Sequence, residues 1–195
     1  CSTFSDSGMP HSIKTNARDM IDKALPNCLK LKSSRAAAYV IIGLNYLGYE
    51  KTDGYISKLA AMLADHYIHY NNGDWHWFED SLTSCNAVLP RALLTAFKAT
   101  KELRYLKIGL ESLSFLKRMT FTENYFKPIG SNGLCRQGDE SAQLDEHPLE
   151  ACESTSAYVE AFLITNNVEY IKLAKLCFSW YIGRNSIRHA LLDYE

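Results

Sequence analysis

Glu79 and Asp80 stand directly behind Trp75, Trp77 and Phe78 in the stretch Asn71-Asn72-Gly73-Asp74-Trp75-His76-Trp77-Phe78-Glu79-Asp80. A second acidic set, Asp145, Glu146 and Glu150, follows a long polar segment that starts at Phe121 and passes through Pro128-Ile129-Gly130-Ser131-Asn132-Gly133. Sugar rings carry apolar C–H faces and a rim of hydroxyls, so flat aromatic surfaces beside carboxylates and amides supply both packing and hydrogen bonds. Glycosidic cleavage needs two carboxyl groups across the bond, about 5–5.5 Å apart for retention and about 6.5–9.5 Å for inversion. Glu79 or Asp80 from the first set and Asp145, Glu146 or Glu150 from the second are therefore the candidate acid and base. One would donate a proton to the leaving oxygen and the other would activate water. Trp75 and Trp77 are candidate sugar platforms, with His76, Asn86, Arg91, Asn132 and His147 as further substrate-binding groups.

Plainer roles are open to the same residues. Clustered aromatics that lead into a helix commonly anchor a loop to the core, and acids in front of a helix stabilise its positive end by about 0.3–1 kcal/mol. Asn86 could bind a hydroxyl or orient a carboxylate, and Arg91 could pair with Asp80 or Glu79; either could equally be a capping or surface group. Gly130-Ser131-Asn132-Gly133 lacks the Gly-Lys-Ser/Thr pattern of a phosphate cradle and reads as a turn. Asp65, His66 and His69 share one helix without a His-Glu-x-x-His pattern, so they read as exposed polar residues rather than metal ligands. No metal or cofactor is implied, and no Gly-x-Ser-x-Gly nucleophile elbow occurs.

The elements that must position these groups are helical. Val40, Ile41, Leu44 and Leu47 follow a three-and-four spacing, as do Ile56, Leu59, Leu63 and Tyr67, and Leu89, Leu93, Ala96 and Phe97. Leu106, Leu110, Leu113 and Leu116 form a further stripe, and Ile171, Ala174, Phe178 and Tyr181 the last. No run of period-two strands stands out, so the fold class is all-α. The pattern predicts seven helices, over 12–29, 33–49, 52–70, 83–100, 102–119, 148–166 and 168–182. Ser33 and Thr83 suit N-caps, Pro148 a first turn and Gly183 a stop, while Pro26 should end or kink the first helix. Short links join antiparallel neighbours, so the links near 48–51, at Lys101 and at Asn167 fall at one end and both long loops at the other.

Composition bounds the rest. The 195 residues are 47% hydrophobic and 22% charged with a net charge of -1, which suits one compact domain spanning 1–195. Lys and Arg are scattered rather than striped, so no nucleic-acid partner is expected. The longest apolar stretch, Ala36 to Leu44, is too short to cross a bilayer. Six cysteines without a Cys-x-x-Cys spacing point to buried reduced thiols in a cytoplasmic protein rather than a disulfide framework. Cys1 at the start is also what an exported, lipid-modified mature terminus would show.

Asp74-Trp75-His76-Trp77-Phe78-Glu79-Asp80-Ser81-Leu82-Thr83, followed by Asn86-Ala87 and Leu89-Pro90-Arg91-Ala92-Leu93-Leu94, resembles bacterial proteins of the six-hairpin glycosidase-like, (α/α)6-toroid family. In these a Trp-x-Trp-Phe-Glu-Asp motif leads into an Asn-Ala-x-Leu-Pro helix. Phe126-x-Pro128-Ile129-Gly130-x-Asn132-Gly133 and Asp145-Glu146-His147-Pro148-Leu149-Glu150-Ala151 are similar to the family's Pro-Ile-Gly turn and acidic Gln-Pro-Ile-Glu-Ala segment. Glu146-His147 stands where that pattern has two glutamines. The likeness covers most of Arg35 to Tyr194. It implies a toroid whose inner funnel handles carbohydrate, a glycoside hydrolase-like activity, and association with glycosyltransferases; the alternative is a non-catalytic glycan-binding or scaffold module serving such an enzyme. Six hairpins of about fifty residues need about three hundred. Seven helices are then part of a ring with terminal segments missing, or a shortened relative whose open flanks pair with another copy.

Overall fold

A computed structural model describes residues 8–47, 50–139, 142 and 145–191, so Cys1 and the Gly48-Tyr49 link lie outside the described residues. Seven helices appear among these: α1 His11–Cys28, α2 Ser34–Asn45, α3 Glu50–Tyr70, α4 Val88–Thr100, α5 Leu103–Thr120, α6 Pro148–Thr165 and α7 Val168–Ser179. Two short strands accompany them, β1 Ser81–Leu82 and β2 Cys135–Arg136.

α4 is the hub. Val88, Leu89, Pro90, Ala92, Leu93, Leu94, Thr95 and Ala96 are all buried, so the helix is apolar around most of its circumference. It packs on α2, α3, α5 and α6, and α7 packs on α6. The sequence permits this because Pro90 falls in the first turn of α4, where the missing N–H costs no helical hydrogen bond. Closest approach is at Gly109 of α5: an added Cβ there would lie 3.0 Å from Leu94 Cδ2 and 3.3 Å from the Pro90 carbonyl oxygen. α1 is peripheral, with no buried residue of its own; Ile21 and Leu25 rest against the core.

Local chemistry sets most boundaries. Ser33 caps α2, its hydroxyl accepting from Ala36 N at 3.3 Å, and Pro148 opens α6. Lys101 and Asn166 terminate α4 and α6 in the left-handed region, at φ 60° and 55°. α1 stops two residues after Pro26. α7 is three residues shorter than its apolar pattern suggests, because Trp180, Tyr181 and Ile182 donate to Cys177, Phe178 and Ser179 in tight three-residue turns.

Three expectations need correction. Thr83 does not cap α4, which begins at Val88, because residues 83–87 form a turn held by its own Asn86 and by Arg35 and Glu150 of other helices. Strands exist, although minimal: Ser81 pairs with Arg136 and Leu82 with Cys135, antiparallel. The inward faces of two helices are rotated from the obvious leucine and aromatic stripes. α5 buries Tyr105, Ile108, Ser112 and Phe115 with Leu113 and Leu116, leaving Leu106 and Leu110 at the margin. α7 buries Leu173, Ala174 and Cys177, with Trp180 buried just past its end, so of the expected stripe Ala174 faces inward while Phe178 is exposed. Cysteines 28, 85, 135, 152 and 177 are free thiols, but only Cys135 and Cys177 are buried. No helix among the described residues is long and apolar enough to cross a membrane.

Candidate functional site

The two long loops meet. Strand β1 belongs to the first and β2 to the second, Gln137 N donates to the Asp80 carbonyl at 3.4 Å, and Gln137 Nε2 reaches the Asn72 carbonyl at 3.5 Å. The second loop is braced internally by Ser131, whose N and Oγ each donate to the Asp145 carbonyl at 2.9 Å.

Beneath this junction lies a polar knot that joins α2, the 83–87 turn and α6. Arg35 donates through Nη1 to Glu79 Oε2 at 2.5 Å, through Nε to the Ser84 carbonyl at 2.5 Å, and through Nη2 to Asn86 Oδ1 at 3.2 Å. Asn86, fully buried, also accepts from Thr83 N at 3.1 Å and donates through Nδ2 to Glu150 Oε2 at 3.5 Å. Glu150 is 3% exposed; its Oε1 accepts from Cys85 N and its Oε2 from Asn86 N at 3.3 Å. Burial pushes the Glu150 carboxyl up from its ordinary range, against the opposing pull of the Asn86 and Cys85 N–H groups, the Asn86 amide and the Arg35 charge. These contacts also hold Cys85 at φ 51°, which a Cβ-bearing residue adopts only when its surroundings impose it.

The knot continues as a ladder between α4 and α6. Arg91 Nη1 donates to Glu153 Oε2 at 3.1 Å, and one heptad further on Lys98 Nζ lies 2.9 Å from Glu160 Oε1, a charge contact outside hydrogen-bond geometry. Tyr39 adds its hydroxyl to Glu153 Oε1 at 3.3 Å. Arg91 thus pairs with Glu153 rather than with Asp80 or Glu79; the contacts 91–153 and 98–160 show α4 and α6 running side by side in the same direction with their charges in register.

The aromatic residues of the first loop are anchors. Trp77 is fully buried against Phe78 and Phe115, and its Nε1 has no acceptor among the described residues. Trp75, 5% exposed, packs edge-on against Phe115 and donates Nε1 to the Glu79 carbonyl at 2.8 Å. Trp77 presents no free face to a sugar in this conformation, whereas Trp75, although 5% exposed, lines a cleft of about 380 Å³ with Asn72, Asp74, Phe115, Arg136 and Gln137. His76 is half-buried, with Nδ1 2.8 Å from Asn71 Oδ1 and 3.7 Å from Glu111. Asp80 is exposed and accepts from Ser81 Oγ at 2.9 Å; Asn132 is exposed; His147 is the N-cap of α6, its Nδ1 accepting from Leu149 N at 3.2 Å. His66 is half-buried rather than exposed and meets Ser34 Oγ at 3.0 Å through Nδ1. No group of three or more His, Cys, Asp or Glu side chains that could hold a metal gathers among the described residues.

Asp145 and Glu146 line a cleft. Together with Pro148, Trp180, Asn185, Ser186, Ile187 and Leu191 they bound a space of about 380 Å³. Glu146 Oε2 accepts from Trp180 Nε1 at 2.5 Å, whereas Oε1 is buried with no hydrogen-bond partner among the described residues. A buried carboxylate oxygen without a donor is costly, and a ligand hydroxyl would supply one once the side chain turned the shielded oxygen toward the cleft. Sequence reasoning missed Trp180 and Asn185. The signal was present: Leu173, Cys177 and Trp180 repeat at helical spacing, but Ile171, Ala174, Phe178 and Tyr181 form a more obvious stripe beside them. Asn185 is 4% exposed and binds the Trp180 and His189 carbonyls at 2.8 and 2.7 Å through Nδ2, pinning the segment that closes the cleft.

Comparison of the chain with protein-family models, with curated proteins and with solved structures finds no match.

Proposed function

We propose that the chain handles carbohydrate at its long-loop end, as a glycoside hydrolase-like protein whose seven helices form part of an (α/α) toroid. The observation that carries this reading is Glu146: a half-buried carboxylate in a cleft of sugar size, one oxygen held by an indole N–H and the other without a donor. In the reaction, Glu146 donates a proton to the leaving oxygen, and the carboxylate that activates water must face it across the bond, a position assigned to Asp145 as the other acid lining the cleft. Trp180 fixes the rotamer of Glu146, and the Ile187 and Leu191 side chains offer apolar contact to the ring face. Glu79 and Glu150 act as positioning residues through the Arg35 and Asn86 knot rather than on substrate. Asp80, exposed beside the paired strands, remains an acid of the first loop with access to a bound glycan.

The second reading is a non-catalytic glycan-binding or scaffold module, serving a glycosyltransferase. It is favoured by the engagement of Glu79 and Glu150, one carboxylate from each loop region, in hydrogen bonds to the protein itself. The test assays release of reducing ends from a panel of defined oligosaccharides by the wild type, Glu146→Gln and Asp145→Asn, with calorimetric binding alongside. Turnover lost in Glu146→Gln supports the hydrolase reading. Turnover retained at wild-type level in both variants overturns it, binding without turnover transfers the assignment to the second reading, and neither binding nor turnover ends both.

A further inference from the structure

On the other side of Asn185-Ser186 lies a second, larger cleft of about 610 Å³, bounded by Asn124, Tyr125, Arg184, Ser186 and Arg188. Asn185 and Ser186 line both clefts, so the two spaces adjoin. Their chemistry differs. The Glu146 cleft is acidic and apolar, whereas this one carries two guanidinium groups and no carboxylate in its wall.

Neither Arg184 nor Arg188 has an ion pair or a side-chain hydrogen bond among the described residues, unlike Arg35 and Arg91. Nor are they on a loose strand. Arg184 N donates to the Ser179 carbonyl at 2.9 Å, Leu191 N to the Tyr181 carbonyl at 2.8 Å, and Ile182 bridges Ala190. Asn185 then clasps the loop from inside through Trp180 and His189. Gly183 at φ 95° and Arg188 at φ 54° make the reversals that turn both arginines toward one cleft. Two unneutralised guanidinium groups on a hydrogen-bonded loop backbone, beside a phenol and an amide, form a recognition surface for a carboxylate, sulfate or phosphate oxygen set.

We infer that the Arg184–Arg188 cleft binds an anionic group carried by the glycan, so that the substrate class is acidic carbohydrate: a uronic acid, or a sulfated or phosphorylated sugar. The inference rests on the carbohydrate reading for its substrate class, and on the two arginines alone for its charge. The neutral part of the ligand would extend past Ser186 into the Glu146 cleft, while the anionic group stays away from Asp145 and Glu146, which would repel it.

The experiment is a calorimetric titration with four probes: oligogalacturonate against its methyl ester, sugar phosphate against the parent sugar, a sulfated against an unsulfated oligosaccharide, and inorganic sulfate and phosphate alone. Wild type is compared with Arg184→Gln and Arg188→Gln, both exposed positions whose folding is checked by thermal melting. The expected result is preference for one acidic member of a pair, lost by ~10-fold or more in either variant and weakened by added salt. The preferred pair identifies whether the anion is carboxylate, sulfate or phosphate. Equal affinity for acidic and neutral partners, or undiminished binding in both variants, overturns the inference. Arginine-dependent binding of inorganic anions with no glycan binding supports an anion site but overturns the acidic-sugar class together with the carbohydrate reading.

Discussion

Replacing Glu150 by Gln separates a structural carboxylate from a catalytic one. Its two oxygens accept from Cys85 N, Asn86 N and Asn86 Nδ2, so both lone-pair faces are in use. A glutamine supplies one oxygen and one NH2, and the NH2 must face at least one buried N–H. Leaving that donor unmet costs about 1–3 kcal/mol. Relief of the burial that raises the Glu150 carboxyl works the other way, but the same change removes the charge opposite Arg35, so the lost acceptor dominates. Glu150→Gln should therefore lose about 1–3 kcal/mol of stability, and Glu150→Ala, which orphans both backbone donors, about 2–6 kcal/mol. Urea unfolding followed by circular dichroism reads this directly: with a slope of about 2 kcal/mol/M, the glutamine variant unfolds at roughly 0.5–1.5 M less urea. An unchanged midpoint for Glu150→Gln combined with lost glycan turnover would refute the positioning role and return Glu150 to the chemistry.

The pH dependence of the same pair carries a sign. With its carboxyl raised in the folded state, native Glu150 binds more protons than unfolded Glu150 does, so its contribution to stability falls as pH rises from the ordinary glutamate range through the raised value; urea titrations of wild type minus Glu150→Gln across that window should show a negative slope, and a flat difference would contradict it. Gly109→Ala should cost about 1–3 kcal/mol by driving a methyl into Leu94 and the Pro90 carbonyl, read as a lower melting temperature. Trp77→Ala should cost about 3–5 kcal/mol while leaving any glycan affinity per folded molecule intact, which separates an anchor from a sugar platform. Trp180→Phe keeps most of the ring and deletes the N–H that holds Glu146; it should weaken glycan binding or turnover by ~10-fold or more, with stability changing less than in Trp77→Ala.

Helical periodicity made the seven helices legible because most of them bury one face, and turn chemistry at Ser33, Pro148 and Pro26 placed several ends within a residue or two. The start of α4 was not legible. The turn that precedes it is held by Glu150, sixty-five positions away from Cys85, and no local pattern encodes that distance. The meeting of the two long loops followed from counting helix reversals, but their union through paired strands of two residues each is too short to leave an alternation in sequence. Within the site, the Trp-rich motif was conspicuous for its aromatics, and those aromatics serve the core. Trp180 was hidden by the opposite problem, a competing apolar stripe whose Phe178 faces solvent. The acids of 145–150 diverge over a few residues, Glu150 into the knot and Glu146 into the cleft, because a left-handed Asp145 at φ 62° and the entry into α6 turn successive side chains apart.

The most direct measurement is a crystal structure of the protein soaked with the tightest-binding oligosaccharide of the panel. The account predicts sugar density between Glu146 and Trp180, with a ring hydroxyl or glycosidic oxygen within hydrogen-bond distance of Glu146 Oε1. Sugar seated elsewhere, or an empty Glu146 cleft at a saturating concentration of a ligand that binds in solution, would contradict it.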